Sequence, residues 1–244
     1  MKKIIYGVVI ILLIGVMLIS SYFIFKNIQE DKKQENTFEE LVEIAEDKEQ
    51  NTDNTKEDSI NIEELYEINN DIVGWIKIEN TSINYPVMQT KDRPNYYLRK
   101  DFYKKYSQWG TPFLAENCDI ETSDNLIIYG HHINNSKMFG ELEKYRNQEF
   151  YKNHKFIKFY TKEDVAEYEI VSVFKTSASN GFKYYEFVKT NEKKEFETFI
   201  KKCEELSFYN TENDAEYGDK LLTLVTCDYS VKNGRLVVIA KKVL

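Results

Sequence analysis

The chain of 244 residues is poor in the residues that mark several special classes of protein. Its three cysteines are too few for a disulfide scaffold, and nine glycines with three prolines exclude a collagen-like or Pro/Gly-rich low-complexity polymer. It has no overall excess of basic residues, which argues against a nucleic-acid partner. Aromatic residues make up 14% of the chain, far more than a disordered chain carries, so we expect one globular domain with additional segments.

The net charge of −8 comes from one short segment. Residues 27–59 contain 12 acidic and 4 basic side chains, and the rest of the chain is balanced in charge. A few apolar residues in this segment are compatible with a short helix over Phe38–Glu49. The stretch Gln50–Ser59 has no apolar residue and is typical of a solvated linker. We therefore expect residues 27–59 to be an acidic linker and residues 60–244 to form the folded domain.

The N-terminus carries a long uncharged run. Ile4–Phe25 contains 22 residues without a charge, and at about 1.5 Å per helical residue it is long enough to cross a bilayer core of ~30 Å. A cleaved signal peptide has a shorter apolar stretch, and a buried core helix seldom lacks polar residues for so long. We expect residues 1–26 to be a retained transmembrane signal-anchor. Lys2 and Lys3 favour a cytoplasmic N-terminus, which places the folded domain outside the cell.

The rest of the chain alternates between short hydrophobic segments and turns. Helical spacing predicts helices near Ile62–Ile68, around Met138–Tyr145 and over Glu192–Leu206. The predicted strands are Val73–Ile78, Ile83–Val87, Thr111–Leu114, Asn125–Tyr129, Phe156–Tyr160, Ala166–Phe174, Lys220–Thr226 and Arg235–Val243. This pattern predicts a mainly β fold with inserted helices (α+β), arranged as a small β-barrel.

Three reactive side chains lie at predicted strand ends. Cys227 closes a hydrophobic strand, His131 follows Gly130 just beyond another strand, and Arg235 opens the last strand. If the two terminal strands are antiparallel neighbours, Cys227 and Arg235 face each other across the loop between them. A thiolate is a nucleophile, an imidazolium protonates a leaving amine, and a guanidinium is a fixed donor for an oxyanion. Chance placement of the three residues is the alternative.

The remaining cysteines and histidines have simpler interpretations. Cys203 lies on the apolar face of a predicted helix, Cys118 precedes a strand, and His154 lies in a polar turn. Zinc binding by His131 and His132 with Cys118 or Cys227 is disfavoured, because the chain has no Cys-x-x-Cys or His-x-x-x-His spacing. We expect no metal and no cofactor.

These residues resemble the sortase family, and within it class B. The Thr-Leu-x-Thr-Cys signature stands as Thr223–Cys227, and the following arginine as Arg235. The histidine motif resembles Ile128–His132, followed by Met138–Leu142. The resemblance covers the chain from about Ile60 onward, together with the arrangement of the N-terminal anchor.

The resemblance implies an eight-stranded sortase-type β-barrel with N-terminal helices and a helix in the long loop before the cysteine strand. It implies a cysteine transpeptidase on the outer face of a Gram-positive cell membrane. Such enzymes cleave a C-terminal sorting signal between Thr and Gly or Asn, hold the surface protein as a thioacyl-enzyme, and pass it to an amine of the peptidoglycan cross-bridge or its lipid-linked precursor. By the family pattern Cys227 is the nucleophile, His131 the acid and base, and Arg235 a donor to the oxyanion or to the substrate backbone. Leu224 and Thr226 match positions near the binding groove.

The sequence departs from the family pattern at three positions. Val225 stands where Ser is frequent, Ser230 where many class B members have Glu, and His132 where Asn is common after the catalytic histidine. None removes a catalytic group. We expect His132 only to pack or to form a hydrogen bond.

Other functions remain open at this stage. An L,D-transpeptidase or a cysteine peptidase also uses Cys and His, a pilin-polymerising sortase is a milder alternative, and a membrane-anchored scaffold without activity is the non-enzymatic one.

Overall fold

The structure is a computed structural model that describes residues 2–46, 59–134 and 136–244. Two compact units make up the chain, Met1–Glu40 and Leu41–Leu244.

The N-terminal unit is helical. Helix α1 runs without a break over Lys2–Ala45, and its apolar residues from Ile4 to Phe25 are exposed except near its middle. Among the described helices, α1 is the one whose length and composition suit a membrane span. The charged half of α1 was expected to be a linker with a short helix, but no Gly or Pro interrupts the chain between Ser20 and Ala45, and Glu, Lys and Gln are good helix formers. Residues 50–58 of the predicted solvated linker lie outside the described residues.

The larger unit contains short helices and ten strands within the described residues. Its α-helices are α2 (Ile62–Ile68), α3 (Gln148–Asn153) and α4 (Lys193–Leu206), and its 3-10 helices are Tyr96–Arg99, Phe139–Arg146 and Tyr184–Glu186. Its strands are β1 (Ile72–Lys77), β2 (Asn84–Met88), β3 (Phe113–Leu114), β4 (Asn125–Tyr129), β5 (His132–Ile133), β6 (Lys137–Met138), β7 (Phe156–Tyr160), β8 (Val165–Ser177), β9 (Leu221–Asp228) and β10 (Gly234–Lys242).

Eight strands close a barrel in the order β1-β2-β3-β4-β9-β10-β8-β7, and β5 and β6 form a separate two-stranded sheet. The eight-stranded barrel expected from the resemblance is thereby confirmed. The pairs β2–β3 and β4–β9 are parallel, and the other pairs of the barrel are antiparallel. Buried apolar side chains that share one face of neighbouring strands fill the barrel, among them Ile128, Leu224, Val238 and Val173, each fully buried.

The directions of the strands determine which strand ends lie at the same rim of the barrel. Because β4 and β9 are parallel, their carboxyl ends lie at the same rim of the barrel. The antiparallel neighbours of these strands bring the start of β3, the start of β10 and the end of β8 to that rim as well. The loop 89–112 before β3 and the segment after β8 therefore border the same opening.

The helix predicted around Met138–Tyr145 is present, but its type and its first residue differ from the prediction. It is the 3-10 helix Phe139–Arg146, and Met138 belongs to β6, where it pairs with His132. This pairing fixes the backbone of the chain directly after β4.

Candidate active site

Cys227 lies where β9 extends beyond its parallel neighbour. The last residue of β4, Tyr129, pairs with Val225, and the Gly130 N–H donates to the Val225 carbonyl at 3.0 Å. Strand β9 continues to Asp228 because β10 still pairs with it on the other side. Cys227 is half-buried, whereas Cys118 and Cys203 are buried. The cysteine is thus held on a strand and still meets the solvent.

Arg235 is the direct cross-strand partner of Cys227, as the antiparallel arrangement predicted. Its Nη1 donates to the carbonyl of Gly234 at 2.8 Å and of Asn233 at 3.4 Å. Among the described side chains, no carboxylate forms an ion pair with Arg235. Its positive charge is therefore not neutralised by a protein carboxylate in this part of the molecule.

His131 is placed by a glycine and a loop. A Cβ atom on Gly130 would lie 2.5 Å from the buried ring of Phe139, so the chain passes this ring only with glycine there. The Nε2 of His131 lies 2.8 Å from the Leu98 carbonyl oxygen. A carbonyl only accepts, so Nε2 carries the proton and Nδ1 keeps its lone pair.

The protonation of His131 follows from its surroundings. Burial lowers the pKa of His131 below its ordinary value; the bond to Leu98 opposes this shift, and the nearby Arg99 charge adds to it. Since an ordinary histidine has a pKa of about 6.5, the imidazole is neutral at pH 7.

His131, Cys227 and Arg235 line one cavity of about 270 Å³ at the barrel rim. The structure therefore brings the three predicted catalytic residues together. Thr226 also lines this cavity, and its Oγ1 is buried without a hydrogen-bond partner among the described residues. Leu224 does not line it, because its side chain is fully buried in the barrel between Ile128 and Val238 on the neighbouring strands.

Comparisons with known proteins show the family of the chain. The family profile of the sortase domain matches residues 76–243. The chain is 32% identical to sortase B of Staphylococcus aureus (strain NCTC 8325 / PS 47) over 239 residues, covering 96% of this chain and 95% of that protein. It is 28% identical to sortase B of Listeria monocytogenes over 236 residues, covering 96% and 94% of the two chains.

The chain belongs to the sortase family.

Solved structures agree with this membership. The S. aureus sortase B–substrate complex has a TM-score of 0.77 and 31% identity, covering 88% of this sortase and 98% of that chain. A sortase B structure from Clostridium perfringens has a TM-score of 0.69 and 32% identity, covering 75% of this sortase and 100% of that chain. These relatives are of class B, and the chain is a cysteine transpeptidase of the sortase type.

Aromatic side chains form a wall of the cavity that the sequence did not reveal. Tyr129 and Tyr184 both line it, and each contributes to the pKa of the other. Burial raises the pKa of Tyr129 to about 12 and also raises that of Tyr184, so both phenols stay neutral at physiological pH. Tyr184 lies in the segment between β8 and α4, which carries no pattern that points to a site.

The second histidine of this sortase, His132, lies against the backbone of Cys227. The Nδ1 of His132 is 3.0 Å from the Cys227 carbonyl oxygen, and its ring meets the ring of Tyr229 edge-on at 5.1 Å. The prediction that His132 packs or hydrogen-bonds agrees with these contacts. The two adjacent histidines thus make different contacts, one with the cavity and the other with the strand end.

The other two thiols are poorly suited to nucleophilic chemistry. Burial raises the pKa of Cys118 to about 11, and it raises that of Cys203 as well. Because the thiolate is the reactive form, these two sulfurs stay protonated and enclosed at neutral pH. Of the three cysteines, Cys227 is the one with access to a substrate.

Proposed function

We propose that this sortase cleaves a C-terminal sorting signal of surface proteins between Thr and Gly or Asn and joins the protein to a peptidoglycan amine. The observation that carries the proposal is the single cavity shared by Cys227, His131 and Arg235. Each residue type matches one requirement of acyl transfer: a nucleophile, a proton carrier and an oxyanion donor.

The first half-reaction forms a thioacyl-enzyme. The Cys227 thiol passes its proton to Nδ1 of His131, and the sulfur attacks the carbonyl carbon of the Thr residue. The carbonyl oxygen becomes an oxyanion, and Arg235, which no described carboxylate neutralises, donates to it. The intermediate collapses as the C–N bond breaks, and His131 gives its proton to the leaving amine.

The second half-reaction transfers the acyl group. An amine of the peptidoglycan cross-bridge, or of its lipid-linked precursor, attacks the thioester, and His131 takes a proton from this amine. Arg235 again donates to the oxyanion, and the C–S bond breaks as the amide forms. The sulfur leaves as a thiolate and recovers the proton from His131, which returns the enzyme to its first state.

The N-terminal helix supports a membrane location for the enzyme. We propose residues 1–26 as a cytoplasmic stub and transmembrane anchor, residues 27–59 as an acidic extracellular segment, and residues 60–244 as the catalytic domain. The exposed apolar side chains from Ile4 to Phe25 suit a lipid environment. A protease added to intact cells should then cut a tag placed after Leu244, and a tag protected until the cells are lysed would reverse the proposed orientation.

Acyl-enzyme trapping tests the chemistry. The full chain in detergent is incubated with sorting-signal peptides containing Thr-Gly or Thr-Asn, with and without an oligoglycine or lysine-bearing amine. We expect a mass adduct on Cys227 and, with amine, an amide product in place of the hydrolysed acid. Cys227→Ala should form no adduct, and His131→Ala should slow turnover by about 10²–10⁴-fold. An adduct on Cys118 or Cys203, or hydrolysis alone at saturating amine, would contradict the proposal.

A further inference from the structure

The carbonyl group of Cys227 faces a gap in the sheet. Carbonyl groups of residues i and i+2 in a strand point to the same side, and the Val225 carbonyl accepts from Gly130 on the side of β4. The Cys227 carbonyl therefore points to this side too. Strand β4 ends at Tyr129, so no further backbone N–H of this strand reaches the Cys227 carbonyl.

The ring of His132 fills this gap. Its Nδ1 lies 3.0 Å from the Cys227 carbonyl oxygen and must donate, because the carbonyl only accepts. The backbone of His132 is itself held, since His132 pairs with Met138 and the neighbouring His131 carbonyl accepts from Phe139 N–H at 2.9 Å. The side chain thus replaces the next rung of the β4–β9 ladder from a fixed position.

Neighbouring groups favour this orientation of the ring. A carboxylate oxygen of Glu143 lies 3.9 Å from the same Nδ1, so an acceptor for an N–H donor lies beside the ring on this side as well. The Glu143 carboxylate is held in turn by Arg146. Tyr229 packs edge-on against the ring and donates its hydroxyl to the His132 carbonyl at 3.4 Å.

The residue after the nucleophile is held separately. An oxygen of the Asp228 carboxylate accepts from Arg146 Nη2 at 2.7 Å, and the other accepts from the Ser230 N–H, also at 2.7 Å. The side chain of Asp228 is therefore anchored on one side of the Cys227–Asp228 peptide group. The peptide group itself is held by His132.

We propose that His132 is a positioning residue, which holds the Cys227 peptide group by hydrogen bonding so that the sulfur is aligned with His131 and Arg235. This role rests on the proposed acyl transfer at Cys227. His132 touches neither the substrate nor the proton in transit; it acts through the backbone of the nucleophile. Loss of the donor should therefore lower kcat more than it changes KM.

Two substitutions separate the hydrogen bond from the ring packing. His132→Phe keeps an aromatic ring against Tyr229 but removes the donor, and His132→Asn keeps an N–H donor but removes the ring. We expect H132F to lower kcat by about tenfold with KM within about twofold, and H132N to recover most of the loss. If H132F loses cooperative unfolding, His132→Leu serves as the smaller variant without a donor.

His154 provides the matched control. Its Nδ1 also lies against a backbone carbonyl, that of Phe150 at 2.8 Å, and its ring stacks on Phe150 at 4.1 Å, but it does not line the cavity. His154→Phe and His154→Asn should leave kcat and KM unchanged. A loss of kcat in both H132F and H154F would indicate a general effect of removing a partly buried histidine and would overturn the proposal.

Amide hydrogen exchange gives a readout that does not depend on activity. In H132F the peptides that cover Cys227 to Tyr229 should exchange faster than in wild type, whereas in H132N and H154F they should not. Wild-type kinetics in H132F, or an H132N variant that is folded but as slow as H132F, would reject the positioning role. A wild-type enzyme that forms no acyl adduct would instead reject the proposed function, and the exchange comparison would still decide whether His132 holds the strand end.

Discussion

A single charged neighbour, Arg99, contributes to the lowered pKa of His131, the proposed proton carrier. Arg99 is exposed and donates to the Gln108 carbonyl at 3.0 Å, yet its charge contributes to the lowered pKa of His131. A nearby positive charge disfavours the imidazolium form, so neutral His131 persists to lower pH than it would without Arg99.

The substitution Arg99→Gln tests this effect. Removing the positive charge raises the pKa of His131 towards its ordinary value, so the acid limb of the kcat/KM profile should move to higher pH. The alkaline limb of the profile should stay at the same pH, because it reports the titration of a group other than His131. Exposed Arg93→Gln is a control that should leave the acid limb unchanged. The assignment of this limb to His131 fails if R99Q shifts it to lower pH.

Thr226 and Leu224 belong to the same Thr223–Cys227 signature but differ in whether they line the cavity. Thr226 has a buried hydroxyl without a partner among the described residues and lines the cavity, whereas Leu224 is enclosed in the barrel. A buried hydroxyl without a partner is unfavourable, and we propose that a substrate group reaches this hydroxyl from the cavity and recovers the cost.

Replacement of Thr226 by Val removes this hydroxyl at nearly constant volume. We expect the free energy of unfolding to stay equal or to rise by up to about 1 kcal/mol, and KM for the sorting peptide to rise about three- to tenfold. Leu224→Ala should instead cost about 2–5 kcal/mol of stability and leave KM unchanged in the folded fraction. Urea unfolding and steady-state kinetics measure both. A rise in KM for L224A with an unchanged KM for T226V would contradict this prediction, because it would indicate that Leu224 and not Thr226 contacts the substrate.

At the level of elements, an ion pair joins the end of β9 to the 3-10 helix Phe139–Arg146. The Asp228 side chain is 1% exposed and meets Arg146 Nη2 at 2.7 Å. Burial alone would raise the pKa of Asp228, but the hydrogen bonds from Ser230 and Arg146 outweigh it and hold the pKa below its usual range. The charged form is therefore favoured in the folded protein.

Asp228→Asn should lower the free energy of unfolding by about 1–2 kcal/mol at pH 7. Because the folded-state pKa lies below the unfolded value of about 3.9, this contribution is present above pH 4 and is lost as the pH falls through the folded-state value. Urea unfolding at pH 7 and at pH 3 measures the difference. Asp92→Asn is the control, since Asp92 is 81% exposed and its ion pair should contribute little. A D228N penalty that grows on acidification would contradict the assignment.

Several strands were predictable because the first and last residues of each follow from its own hydrophobic run. Strands β4 and β7 have the bounds that their hydrophobic runs predict, and the pairing of Cys227 with Arg235 follows from two terminal strands joined by a short loop. The continuous helix α1 was not predicted, because its charged half was interpreted as a linker from composition alone.

At the scale of the whole molecule, the site depends on contacts that local patterns do not contain. The contact between His131 and the Leu98 carbonyl joins residues 33 positions apart, and the loop of Leu98 shows no hydrophobic period. Tyr184 reaches the cavity from a segment far from both Tyr129 and Cys227 along the chain. That Cys227, His131 and Arg235 line one cavity was predictable from strand ends and the family signature, whereas the neighbours of these side chains depend on the closed barrel.

The three cysteine sulfurs differ in burial, so the number of thiols that react per molecule shows whether the protein is folded. Cys118 and Cys203 are enclosed, and Cys227 alone is half-buried. A maleimide dye should therefore label the native protein once per molecule and the protein in denaturant three times. Cys227→Ala should give zero and two labels under the same conditions. The native protein can therefore be labelled specifically at Cys227 without first replacing the other cysteines. A ratio of dye to protein above one then indicates that part of the preparation is unfolded.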